Sequence, residues 1–232
     1  MKKTTIISIA LIMSMCIIGL FAAGEVNYFA AKNINEHDDA PVIVIDKIGV
    51  NEKINDVSLN DGVFFENESY APTNGETVLF GHRTMQGSPF LRLNELSAGD
   101  IITVEWPGVG EVTYTVTGSK IVPADYALEP SGDANKIDLI TCHPLGFCSE
   151  RLIVEANMTS VTPIDSDVVN ANPIENNAMI ITVAFLIVGL IVAYFAPMES
   201  RKLVAATVIA ITIALVYFNF NPMPSEIIYS II

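Results

Sequence analysis

The hydrophobic residues of this chain form three long uncharged runs and a set of short alternating ones. The uncharged runs cover residues 4–23, 176–198 and 203–225. About 20 consecutive apolar residues cross the roughly 30 Å hydrocarbon core of a bilayer as a helix. We therefore predict one N-terminal and two C-terminal transmembrane helices, over residues 1–23, 178–197 and 203–220.

The first run raises the question of a cleaved signal peptide, because the small residues Ala22, Ala23 and Gly24 follow it. However, it is longer than the apolar region of about 7–15 residues that signal peptides usually carry. We interpret residues 1–23 as an uncleaved anchor. Cleavage would still leave the protein held in the membrane by its C-terminal pair of helices.

Basic residues beside these runs predict the orientation. Lys2 and Lys3 precede the first run, and Arg201 and Lys202 lie in the short turn between the last two. Because short cytoplasmic segments are enriched in Lys and Arg, we place both groups in the cytoplasm. The N-terminus is then cytoplasmic, and residues 24–177 lie outside the cell membrane.

This outer segment changes character twice. Residues 24–40 are predicted to form a polar stalk, and residues 158–177 a polar linker back to the membrane. Between them, residues 41–157 hold short alternating runs rich in Val, Ile, Thr and Tyr, separated by Gly, Pro, Asn and Asp. This pattern predicts an all-β barrel or sandwich. One stretch, residues 88–96, has helical spacing instead.

Charge and cysteine content exclude some classes of function. The outer segment carries 8 basic and 24 acidic side chains, a formal net charge of −16. Nucleic-acid-binding proteins usually present a basic surface, so this charge argues against nucleic acid as a ligand. We attribute the acidity to solubility. Cys16 lies in the first run, and the other two cysteines share one loop, so the domain is not a disulfide-stapled scaffold.

Two apolar runs end on side chains that can do chemistry: "VLFGH" ends on His82 and "LITC" on Cys142. Alone, each residue is more often structural. Arg151 follows Cys142 by nine residues across a "PLG" turn, so a hairpin can return the arginine to the cysteine. The thiolate is the nucleophilic form of cysteine, and an arginine that stays protonated can donate to an oxyanion.

The segment "LITCHPLGFCSER" also admits two other interpretations. Zinc accepts ligands of the types of His82, Cys142, His143 and Cys148, but adjacent strand residues point to opposite faces and the paired Cys spacing is missing. We expect no metal site, and no cofactor is indicated. A loop this short can also be closed by a Cys142–Cys148 disulfide, which would block the nucleophile. A count of free thiols in the native protein would decide whether the disulfide forms.

At these residues the chain resembles the sortases, a family of membrane-anchored cysteine transpeptidases. The family motif is a "TLxTC" strand with an arginine in the next strand; here "DLITC" is followed by Arg151 in "RLIV". Asp138 replaces the first threonine, and His82 in "VLFGHR" matches the family histidine. The resemblance covers roughly residues 42–157.

The resemblance is closest to the class C, pilin-polymerising sortases, through "GHRTMQGSPFLRLNELSAGDIITV" and "IVPADYALEPSGDANKIDLITCHPLG". Two features depart from that class. The chain has two C-terminal apolar runs where one would be expected, and its stalk lacks the Asp-Pro-aromatic lid.

The resemblance implies an eight-stranded β-barrel and a two-step acyl transfer. Cys142 would attack the threonine carbonyl of an LPxTG-like C-terminal sorting signal on a surface protein. An amine, from a cell-wall component or a pilin lysine, would resolve the thioacyl-enzyme. His82 would act as acid and base and Arg151 would stabilise the oxyanion, while Thr141, beside the thiol, would line the substrate site.

Two other functions remain open. A cell-surface cysteine peptidase would use the same residues with water as the acceptor. A non-catalytic barrel that binds surface peptides would need none of this chemistry, and a thiol-reactive peptide probe would distinguish it.

Overall fold

The computed structural model describes residues 3–34, 40–164 and 176–223, which divide into a helical unit and a β unit. The β unit is a closed barrel in the order β1-β2-β3-β4-β7-β8-β6-β5. The strands are β1 Val42–Ile45, β2 Val50–Asn55, β3 Val63–Phe65, β4 Thr77–Phe80, β5 Ile101–Trp106, β6 Gly110–Pro123, β7 Lys136–His143 and β8 Glu150–Thr162. The predicted eight-stranded all-β barrel is confirmed.

Two pairs in the barrel are parallel, β2 with β3 and β4 with β7, and the others are antiparallel. The β4–β7 pair runs from Thr77↔Ile137 to Phe80↔Ile140. It brings the carboxyl ends of two strands to the same end of the barrel.

Strand β7 is buried on both faces, which explains why its sequence is apolar without a clean alternation. Ile137 and Leu139 point into the main core. Ile140 points outward into a second, smaller cluster that we call the outer cluster. Its members are Val78, Ile140 and Ile153, with the partly buried Phe80, Val122 and Leu128 packed against them.

The helix suggested by residues 88–96 is not formed; the structure has only a 3₁₀ turn, Leu93–Glu95. Ser88 has a positive φ of 50° and Pro89 follows it, so the backbone is not in a right-handed helical conformation where the predicted helix would start. The apolar spacing still serves the core, because Phe90 and Leu93 are both completely buried.

The barrel also extends past the predicted start of the linker at residue 158. Strand β8 continues to Thr162, where it pairs with Glu111 of β6. The polar side chains of this stretch suit a strand with one solvent-facing side. Residues 165–175 of the predicted linker lie outside the described residues.

The helical unit contains α1 Lys3–Ile34, α2 Asn177–Phe195 and α3 Arg201–Phe220. Each has a span long and apolar enough to cross a membrane. The three expected apolar helices are therefore present. Close packing joins them: a Cβ added at Gly19 would lie 2.7 Å from a methyl of Ile211, and one at Gly189 would lie 2.5 Å from a methyl of Val208.

Helix α1 runs eleven residues beyond the anchor predicted to end at residue 23, so the first part of the expected polar stalk is helical. Val26 and Ala30, one turn apart, are buried, and Val26 packs in the apolar core of the helical unit. The Asn27 amide donates to the Met223 carbonyl at 2.9 Å and accepts from its N–H at 2.7 Å. Its polarity is thus satisfied inside the unit. Residues 35–39 of the predicted stalk are outside the described part of the chain.

Candidate active site

The predicted nucleophile and its arginine face each other across two neighbouring strands. Cys142 lies near the end of β7 and pairs in register with Arg151 at the start of β8. The Arg151 Nη1 atom lies 4.0 Å from the Cys142 Sγ. The same Nη1 donates to the Cys148 carbonyl at 3.2 Å and the Glu150 carbonyl at 3.1 Å, which holds the guanidinium beside the thiol.

His82 reaches the same place through the parallel pairing of β4 with β7. The last registered pair is Phe80↔Ile140, and the two chains stay joined beyond it, because the Gly81 N–H donates to the Ile140 carbonyl at 3.1 Å. Strand β4 ends at Phe80, so the two chains are aligned up to two residues before His82 and Cys142. The sequence-predicted histidine and cysteine are thus carried by adjacent, aligned chains.

Strand alternation puts Cys142 and Arg151 on the outer face of the barrel, and His82 follows the outward-facing Phe80 by two positions, just beyond the end of β4. His82, Cys142 and Arg151 each lie two positions from a residue of the outer cluster, namely Phe80, Ile140 and Ile153. Side chains two residues apart on a strand share a face. The outer cluster is therefore an apolar base from which the three polar side chains project at one end.

Gly81 allows the chain to pass close to the core just before His82. A Cβ at this position would lie 2.5 Å from the Cδ2 atom of Phe90, which is completely buried. The Phe90 N–H in turn donates to the His82 carbonyl at 3.0 Å. The glycine that the sequence shows as a break after the strand is thus required by close packing.

Asn60 orients the histidine, a role that the sequence analysis missed. Its Oδ1 lies 3.1 Å from the His82 Nε2. Since an amide oxygen only accepts, Nε2 carries the proton and Nδ1 keeps a lone pair. Asn60 sits in the 3₁₀ turn Leu59–Asp61, where its N–H donates to the hydroxyl of the capping Ser58 at 3.2 Å.

Both reactive groups rest uncharged at neutral pH. Burial lowers the pKa of His82 below its ordinary value of 6.5. Burial also raises the pKa of Cys142 to about 11, and a hydrogen bond that the Cys142 thiol donates to the Cys148 sulfur adds to this, against the opposing charges of Arg151 and Arg83. A site of this kind generates its thiolate during the reaction rather than storing it.

Thr141, which we predict to line the substrate site, has a buried side chain. It is 3% exposed and lies on the opposite face of β7 from Cys142. Its hydroxyl donates to the Gly81 carbonyl at 2.7 Å. Thr141 therefore joins β7 to the His82 segment and has no hydroxyl proton left for a substrate.

The remaining residues of the loop form neither a disulfide nor a metal site in the described structure. Cys142 and Cys148 are both free thiols, and Cys148 is exposed. His143 contacts Arg83 through its Nδ1 at 3.3 Å. No group of three or more His, Cys, Asp or Glu side chains suited to a metal assembles among residues 3–34, 40–164 and 176–223.

Comparison with known proteins identifies a matching family. The model of the sortase domain matches residues 39–159, slightly more than half of the chain. No curated protein matches significantly.

Among solved structures, sortase A from Corynebacterium diphtheriae is 25% identical, with a TM-score of 0.48 over 55% of this chain. The chain covers 64% of that protein, just under two thirds. Sortase C-1 from Actinomyces oris is 27% identical, with a TM-score of 0.48 over 54% of this chain and 76% of the other. Sortase C from Clostridium perfringens, solved with the C-terminal cell wall sorting motif, is 26% identical, with a TM-score of 0.47 over 55% of this chain and 75% of the other.

Proposed function

Because this chain belongs to the sortase family, we propose that it is a membrane-anchored cysteine transpeptidase with Cys142 as its nucleophile. One observation carries the assignment of residues. Strands β4 and β7 are parallel and in register up to Phe80↔Ile140, two residues before His82 and Cys142, and Arg151 pairs with Cys142 between β7 and β8. These pairings support a shared site for the three side chains at one end of the barrel.

In the first step the Cys142 sulfur attacks the threonine carbonyl of an LPxTG-like sorting signal. A carbon–sulfur bond forms and the carbon–nitrogen bond of the peptide breaks. The thiol proton passes to His82 Nδ1, which the contact with Asn60 leaves unprotonated, and from there to the departing amine. The product is a neutral thioester on Cys142 and a free amine.

In the second step an amine attacks the thioester. Its surplus proton passes to His82, and the sulfur leaves with a proton from the same imidazole, which regenerates the resting thiol. A new amide bond replaces the thioester. We propose that the acceptor is an amine of a cell-wall component or a pilin lysine.

Arg151 would stabilise the oxyanion of each tetrahedral intermediate. In the described structure its hydrogen bonds all run through Nη1. A guanidinium has five N–H donors, so Nε and Nη2 can bind the oxyanion while Nη1 keeps the side chain in place. Such donors, held in position before the reaction, act on charge that exists only in the transition state.

We propose that the helical unit anchors the enzyme with the barrel outside the membrane and the N-terminus in the cytoplasm. Three helices suited to crossing a membrane and the flanking basic residues support this orientation. Anchoring would raise the effective concentration of membrane-held substrates at the site. The class C resemblance of the sequence favours pilin subunits as substrates.

The proposal is tested with the full chain in detergent micelles, a panel of LPxTG-like peptides and an amine acceptor, followed by mass spectrometry. We expect an acyl adduct on Cys142 that decays as a peptide–amine product accumulates. Cys142→Ala should form neither species and retain the fluorescence of the folded barrel.

Two results would change the assignment. An adduct that only hydrolyses in the presence of amine would favour the peptidase. A Cys142 thiol that forms no adduct and reacts no faster with a peptide probe than free cysteine would overturn the enzymatic assignment.

A further inference from the structure

Arg83, the residue after His82, is a buried arginine that the proposed mechanism does not use. Its side chain is 7% exposed, and it makes four hydrogen bonds. Nε donates to the Leu91 carbonyl at 3.3 Å and Nη2 to the Asn94 Oδ1 at 2.6 Å. Nη1 donates to the Cys142 carbonyl at 3.2 Å and contacts the His143 Nδ1 at 3.3 Å.

These contacts join three segments of the chain. Arg83 follows β4, Leu91 precedes the 3₁₀ turn Leu93–Glu95 that contains Asn94, and Cys142 lies near the end of β7. The guanidinium therefore holds the backbone of the nucleophile against the segment that carries the histidine. Its planar shape suits this task, because a fork of fixed donors can satisfy several acceptors at once.

Within the described residues, the charge of Arg83 has no partner of opposite sign. All four hydrogen-bond partners are uncharged, and no carboxylate among the described residues forms an ion pair with it. A cation held away from water is stabilised by a nearby anion. The Cys142 thiolate is the anion that the proposed reaction generates next to it.

The direction of this effect agrees with the electrostatics of the thiol. Burial and the contact with Cys148 raise the pKa of Cys142, whereas the positive charges of Arg151 and Arg83 lower it. Arg151 stands beside the sulfur on the solvent side, and Arg83 acts through the backbone side. The thiolate would thus form between two cations.

Arg83 also distinguishes the two histidines of the site. An arginine only donates, so the His143 Nδ1 accepts and its proton sits on Nε2, which faces a Glu150 oxygen at 4.0 Å. The Nδ1 atom of His143 is thus occupied by Arg83, whereas Asn60 holds the Nε2 atom of His82 and leaves its Nδ1 atom open.

Building on the proposed function, we propose that Arg83 is a positioning residue for the nucleophile. Its buried guanidinium fixes the backbone of Cys142 and the His143 ring, and supplies an unpaired positive charge that favours the Cys142 thiolate.

The experiment measures the rate of alkylation of Cys142 by iodoacetamide between pH 7 and 9, below the pKa of the thiol, where the rate is proportional to the thiolate fraction. The full chain is used in detergent, with Cys16→Ala and Cys148→Ser so that one thiol reacts. Arg83→Gln removes the positive charge. Arg83→Lys keeps the charge but loses the several fixed N–H donors of the guanidinium. Asn94→Ala removes one acceptor of the guanidinium and leaves the charge in place. The fluorescence of Trp106, the single tryptophan, reports whether the barrel is folded.

We expect Arg83→Gln to slow alkylation about tenfold at pH 8, as a thiol pKa raised by about one unit would. The Arg83→Lys side chain is still charged at this pH, so Arg83→Lys and Asn94→Ala should keep the alkylation rate within about twofold of the parent, while both slow transfer to an amine. A simple structural role would shift the melting temperature in all three variants and the alkylation rate in none.

An unchanged alkylation rate at pH 8 in folded Arg83→Gln would overturn the proposal. If that variant does not fold, Arg83→Lys decides, because alkylation slowed tenfold at pH 8, or unimpaired transfer, contradicts the proposal. Alkylation requires no sorting signal, so a failure of the peptide assay would count against the proposed function and leave this result interpretable.

Discussion

His82 and Cys142 start the reaction as neutral groups, since burial opposes charge on both. The protonation state that reacts therefore has a protonated Cys142 thiol and a neutral His82 imidazole that can accept the thiol proton. Below the pKa of His82 the imidazole takes up a second proton, and above the pKa of Cys142 the shared proton is lost.

We expect the acylation rate, kcat/KM for the peptide, to vary little between about pH 7 and 9 and to fall below about pH 6.5. The acid limb follows from the lowered pKa of His82 and the wide plateau from the raised pKa of Cys142. Single-turnover acylation across this range provides the measurement. An activity that rises tenfold per pH unit from pH 7 to 9 would mean that a free thiolate attacks instead.

Asn60 gives a second prediction for single residues. Asn60→Ala removes the acceptor that holds the His82 Nε2 proton, so both tautomers become available and the ring loses its orientation. We expect kcat to fall on the order of tenfold or more, as for other orienting partners of catalytic histidines. Asp61→Asn, an exposed change at the next position, should leave kcat within about twofold. Equal losses in both variants would point to disruption of the turn.

At the level of elements, strand β7 carries a buried acid where the sortase motif has threonine. Asp138 is 2% exposed and lies 3.4 Å from the Lys136 Nζ, which also contacts Glu76 at 2.7 Å and Glu155 at 3.4 Å. Burial raises the pKa of Asp138 to about 7, with Lys136 opposing and the two glutamates adding to the rise. Lys136 thus contacts three carboxylates: Asp138 on β7, Glu155 on β8 and Glu76 just before β4.

The raised pKa makes a prediction about the stability of the barrel. Protonation of Asp138 favours the folded state, and this contribution is lost as the pH rises from about 4, near the ordinary pKa of 3.8, through about 7. Asp138→Asn should therefore raise the melting temperature by a few degrees at pH 8 and by less than half as much at pH 5. Lys136 keeps two carboxylate partners in this variant.

Thermal melts followed by Trp106 fluorescence test this, because that tryptophan lies in β5 of the barrel. Glu129→Gln, which removes one exposed negative charge, is the matched control and should show no pH-dependent gain. A variant Asp138→Asn that loses stability at pH 8 would show that the ion pair outweighs the cost of burying the acid.

At the scale of the whole molecule, the proposed membrane orientation can be tested by labelling one exposed thiol, that of Cys148. In a Cys142→Ala background the remaining cysteines are Cys148, exposed on the barrel, and Cys16, within α1. We expect a membrane-impermeant maleimide to label intact cells, and Cys148→Ser to abolish most of the label. Labelling only after the membrane is permeabilised would place the barrel in the cytoplasm and invert the predicted topology.

Several features of the whole molecule could be predicted because their causes are local. Long uncharged apolar runs predict membrane-crossing helices, because the length and polarity of a run alone decide whether it is stable in the hydrocarbon core of a bilayer. Alternating strand residues predict the barrel. The three candidate residues His82, Cys142 and Arg151 stand at strand ends, where a change from apolar to polar is visible in the chain itself.

Other features depend on contacts that no local pattern contains. Asn60 meets His82 across 22 positions and Arg83 meets Cys142 across 59, so neither contact has a sequence period to reveal it. The helical course of residues 24–34 depends on burial against α2 and α3, although the composition suggests a polar stalk. Thr141 shows the same limit, since its neighbour is the nucleophile but its hydroxyl turns to Gly81. Sequence determined which side chains could act, through local solvation and strand period; only the tertiary structure decided their partners, because strand pairing is what brings distant residues within hydrogen-bond reach.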